Sequence, residues 1–150
     1  MRVFLVSLLA VAVGVAGCAI RRDGGSMPAA SVAPPPDASF QGVWRGTVTG
    51  RDFGTGHGLA EQSAMLTIAP DGQWTLVERP GGGEQRSSGT ARVVGSRVIL
   101  DGHVQNGPSR GARVTHSFTP GRRDDLYGVG ETFFSGHRVI GDFTLHRQAS

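Results

Sequence analysis

From Phe40 onward, apolar residues recur at alternate positions in short runs separated by Gly, Pro, Asp and Ser. Alternation puts successive side chains on opposite faces of an extended chain and marks half-buried β-strands. It predicts strands over residues 43–49, 64–69, 74–79, 89–94, 97–104, 113–119, 126–134 and 137–146. Ala64, Leu66 and Ile68 share one face, as do Val98, Leu100 and Val104, then Val114, His116 and Phe118, then Val139, Phe143 and Leu145. Turn chemistry fills the breaks. Pro70-Asp71-Gly72 joins a fixed φ to a residue that accepts positive φ. Gly95-Ser96 fits a two-residue type II′ turn, and Ser135-Gly136 closes a last hairpin. No segment reads as an amphipathic helix. Sequential antiparallel strands joined by short turns give a meander, and closing it removes its exposed edges. The expected fold is all-β: a single small up-and-down barrel of about eight strands, with a β-sandwich as the alternative.

The segment before the barrel has a different character. Met1-Arg2 precedes an almost wholly apolar run over residues 3–15, and Ala16-Gly17 supply small residues for cleavage. Residues 1–17 therefore read as a secretory signal peptide. The run is shorter than the roughly 20 residues a membrane-spanning helix needs. Residues 18–39 hold Gly24-Gly25, Pro28 and Pro34-Pro35-Pro36 with almost nothing bulky to bury, and read as a tether. A flexible coil of about 20 residues reaches roughly 25 Å. The barrel domain is expected over 40–150.

Cys18 is the single cysteine of the chain. Val15-Ala16-Gly17-Cys18 resembles the lipobox of bacterial lipoproteins. The resemblance implies a diacylglycerol thioether on Cys18, cleavage before it and acylation of the new amine; several acyl chains give stable anchoring. Ala19 stands where inner-membrane retention signals carry Asp, which implies the outer membrane, with the domain in the periplasm. Arg21 and Arg22 lie where anionic headgroups would attract them. With Cys18 modified no thiol remains for a disulfide, so the domain has to rest on its core and sheet hydrogen bonds.

Gly42-Val43-Trp44 at the head of the first strand, with Arg147 beyond the last, resembles the signature of the calycins: lipocalins, fatty-acid-binding proteins and avidins. It implies that Trp44 closes one barrel end and that Arg147 packs across it, a cation–π pair. The domain is short for a lipocalin and lacks the helix that flanks that barrel. It carries no evident biotin-binding set. Small envelope inhibitors of proteases and lysozymes share short barrels but commonly have a disulfide.

Charge and motifs narrow the function. Every basic residue is arginine, interleaved with acids at a formal net charge of +3. No basic stripe of the kind nucleic-acid binders need is present. There is no Gly-x-Ser-x-Gly elbow, no His-Glu-x-x-His and no Walker loop, so no catalytic residue is assigned and an enzyme is not expected. Gly54-Thr55-Gly56-His57-Gly58 lacks dinucleotide-binding spacing and reads as a loop. The histidines, His57, His103, His116, His137 and His146, lack metal-ligand spacing and read as solvated or hydrogen-bonded surface groups; no metal or cofactor is expected. Arg122, Arg123, Asp124 and Asp125 read as a solvated turn.

Phe133 and Phe134 are consecutive, so one must face outward, and Phe53 falls in the loop after the first strand. These three are the candidate partner contacts, since exposed aromatics dominate interface hot spots. The expected function is a lipid-anchored, non-catalytic binding module whose partner is an envelope protein, cell wall or a hydrolase to be inhibited. The alternative is a carrier of a small apolar ligand in the lumen. Eight strands enclose a lumen that side chains can fill completely, and a filled interior would count against the carrier.

Overall fold

The computed structural model describes residues 36–81, 83–122 and 124–149. The expected signal peptide, the lipidation site Cys18 and the tether as far as Pro35 lie outside the described residues.

Eight strands follow one another: β1 (Gly42–Asp52), β2 (Gly58–Ile68), β3 (Gln73–Arg79), β4 (Gln85–Val94), β5 (Arg97–Val104), β6 (Arg113–Pro120), β7 (Asp125–Phe134) and β8 (His137–Arg147). Each pairs antiparallel with the next, and β8 returns to β1 through Trp44↔Arg147 to Asp52↔Val139. The result is the closed up-and-down barrel expected from the pattern, not the sandwich. Turn chemistry matches turn geometry. Gly95 alone takes positive φ in its hairpin, as type II′ requires, while Ser135 and Gly136 both do, as in type I′.

Strand ends differ from the sequence expectation chiefly at one end of the barrel. β2 begins at Gly58 rather than 64, and β4 at Gln85 rather than 89. Backbone pairing extends these strands: Leu59 faces Gly50 and Gly58 faces Arg51 beyond a register shift at Val48–Gly50, where β2 carries the extra residue. Glu78 likewise faces Gln85.

The interior is packed at the opposite end. Trp44, Leu66, Ile68, Trp74, Leu76, Val98, Leu100, Phe118, Leu126 and Leu145 are buried there as one cluster. The Trp74 indole donates to the carbonyls of Thr90 (3.1 Å) and Asp101 (3.3 Å). Gly89 and Gly102, paired across β4 and β5, permit this approach; a Cβ on Gly102 would stand 2.7 Å from the Trp74 ring. The Arg147 guanidinium lies 4.2 Å from the centre of the Trp44 ring. It donates to the carbonyls of Gln41 and Ser39, while Trp44 donates to the Phe40 carbonyl at 3.0 Å. Asp124, at positive φ, accepts from Arg147 Nε at 3.3 Å. These contacts close this end.

Candidate functional site

The other end is hollow. A cavity of about 460 Å³ opens here, with Asp52 at the end of β1, Pro80 just after β3, Ser109 between β5 and β6 and Ser135 of the β7–β8 turn around it. That lies within the size range of small-molecule sites, roughly 300–1,000 Å³. Val48, Leu59, Val139 and Phe143 supply apolar wall, and Phe134 sits at the rim. Between them stand Gln62, Glu78, Gln85, His116 and Thr132, with Asp52 and His137 nearer the mouth.

The space exists because three neighbouring positions carry no side chain. Gly130, Gly141 and Gly50 stand side by side across β7, β8 and β1. A Cβ on Gly130 would meet His116 Nδ1 at 2.2 Å, and one on Gly141 would meet Val48 Cγ2 at 2.9 Å. The bare backbone therefore lets the His116 ring lie flat against β7 and keeps the lumen wall thin.

His116 forms part of the cavity floor. Its ring meets Trp74 and Phe143 edge-on, with centroids 5.5 and 5.4 Å away, and Phe118 lies beneath it. It is 3% exposed, and neither ring nitrogen has a hydrogen-bond partner. Burial drives its pKa down to about 4, against a weaker opposing pull from Asp101, so the ring is neutral at neutral pH. This corrects the expectation of solvated or hydrogen-bonded surface histidines: alternation along β6 turns His116 inward with Val114 and Phe118. Ser87 Oγ, also buried, is likewise without a partner.

Glu78 reaches the cavity from β3. Burial pushes its carboxyl up to about 7, offset in part by a hydrogen bond from Gln85. Asp52 is different. The Gly54 amide donates to it at 2.8 Å and holds its carboxyl below the usual range, with His137 Nδ1 3.5 Å away.

The candidate partner contacts divide. Phe133 faces outward from β7 and is 56% exposed, whereas Phe134 turns to the cavity rim at 36%. Phe53, 54% exposed, lies under the Arg138 guanidinium at 5.9 Å, and Arg138 pairs with Phe133 in register. Phe53 and Phe133 thus flank one arginine on the outer rim, and Phe134 belongs to the lumen. Outward-facing Tyr127 and Val129 extend the exposed row along β7. Sequence reasoning missed Glu78, Gln85, Gln62 and the glycine row; the signal was an inward position occupied by a polar residue or glycine where alternation called for an apolar one. Among the described residues, no group of three or more His, Cys, Asp or Glu side chains is placed to hold a metal ion.

No protein-family model matches the chain, and no curated protein matches it. The crystal structure of Rv2717c from M. tuberculosis is similar at 15% sequence identity and a TM-score of 0.43, over 75% of this chain and 94% of that one.

Proposed function

We propose that this protein is a non-catalytic carrier that takes a small, largely apolar molecule into the open half of its barrel. The observation behind this is the cavity itself, walled by Val48, Leu59, Val139 and Phe143 with a few polar side chains such as Gln62 and Glu78 set among them. A mostly apolar concavity with a small number of placed polar groups is the usual form of a small-molecule site. The lipobox-like run Val15-Ala16-Gly17-Cys18 supports attachment to the outer membrane by lipid, with the barrel in the periplasm. The test is native mass spectrometry of the protein purified from its producing envelope. An extra mass of a few hundred daltons, released on denaturation and absent from Val139→Trp, is the expected result. A bare polypeptide mass in both would remove the reading.

A second reading rests on the exposed row Tyr127, Val129 and Phe133 beside Phe53: an envelope protein or cell-wall partner docks on the outer face of β7. Here Phe133→Ser is expected to abolish crosslinking to that partner in intact envelopes while thermal stability stays the same. Unchanged crosslinking would exclude it.

A further inference from the structure

Charge on the cavity lining is one-sided. Its carboxyl groups are Asp52 and Glu78, and no arginine stands among the described residues that line it. In a chain with 15 basic residues, all arginine, that omission excludes the usual partner of a carboxylate or phosphate ligand. Asp52 is already occupied by the loop amides of Gly54 and Thr55 and by His137. Among the described residues, Glu78 is given a hydrogen bond by Gln85 only. The neighbouring ions do not serve it: Glu84 holds Arg79 at 3.5 Å and Arg86 at 3.2 Å in the β3–β4 loop. From β2 it is faced by uncharged Gln62 and Ala64, and across the lumen the titratable groups are Asp52, His116 and His137.

Resting on the carrier reading above, we infer that the ligand is an amphipathic amine: an apolar body against Val48, Leu59, Val139 and Phe143, with its ammonium on the Glu78 carboxylate. The remaining polar groups suit a donor. Gln62 offers an amide oxygen. Phe134 and Phe143 add aromatic rings to the lining. An ammonium beside Glu78 favours the ionised carboxyl, so binding below pH 7 releases a proton, and affinity rises with pH until Glu78 is fully ionised.

The experiment compares three compounds of one shape by isothermal titration calorimetry on the full-length protein: adamantylamine, adamantanol and adamantane carboxylate. The amine is expected to bind roughly tenfold tighter than the alcohol at pH 8, with the carboxylate weakest. Glu78→Gln is expected to erase the preference for the amine over the alcohol. The second measurement needs no variant: the amine's advantage over the alcohol must shrink between pH 8 and pH 5, with proton release seen in buffers of different ionisation enthalpy. Equal binding of amine and alcohol, or a preference that survives Glu78→Gln, overturns the amine assignment while the carrier reading stands. Binding of none of the three overturns both.

Discussion

Glu78 and His116 face one cavity and are perturbed by one cause, burial, yet their effects on stability run in opposite directions. Glu78 has a folded value of about 7 against an ordinary 4.5, so its contribution is whole below about 4.5 and lost as pH rises through 7. His116 has a folded value of about 4 against an ordinary 6.5, so its contribution is whole above 6.5 and lost as pH falls through 4. Each shift corresponds to about 3 kcal/mol over its window. Between about pH 4.5 and 6.5 the two slopes cancel. Glu78→Gln is therefore expected to gain about 3 kcal/mol on wild type between pH 4 and pH 8, read from urea denaturation at a series of pH values. A constant difference between the two proteins would show that Glu78 titrates as a solvated carboxyl.

Strands of the packed half were legible in the sequence because their inward residues are apolar and alternate with polar ones. Leu66 and Ile68, Val98 and Leu100, or Phe143 and Leu145 declare both the strand and its buried face. Around the cavity the same geometry carries Gln62, Glu78, Gln85, Gly130 and Gly141, and the period-two signal disappears although the pairing continues. The early starts of β2 and β4 were illegible for that reason. Glycine roles also depend on pairing that only closure reveals. A Cβ on Gly89 would stand 2.0 Å from the Asp101 carbonyl oxygen and 2.6 Å from Gly102 Cα, both backbone atoms that cannot swing aside. Gly89→Ala is expected to part β4 from β5, weaken both Trp74 hydrogen bonds and cost about 3 kcal/mol, at the upper end of overpacking penalties. Thermal unfolding should show a fall of roughly 10 °C or more. A shift of only a degree or two would mean that the strands separate easily there.

The whole barrel is polar along its axis in a mechanical sense: one end is a solid core capped by Trp44 and Arg147, the other a shell around a void. Local opening is easiest where few apolar contacts hold the sheet. Hydrogen exchange is expected to be slowest at Trp44, Leu66, Trp74, Leu76 and Leu145 and faster by orders of magnitude at Leu59, Gln85 and Val139. A ligand in the lumen should slow the second set and leave the first untouched; uniform protection along the strands would contradict this. The axis also decides what can be attached to the molecule. Pro36 enters beside the β2–β3 turn, within 3.3 Å of the Cβ position of Gly72, and the Gln148 amide leaves bonded to the Val43 carbonyl at 2.8 Å. Head and tail of the domain therefore emerge together at the sealed end. A bead, a reporter or a second domain can be fused at either terminus, or at both, and the mouth stays open to whatever diffuses past.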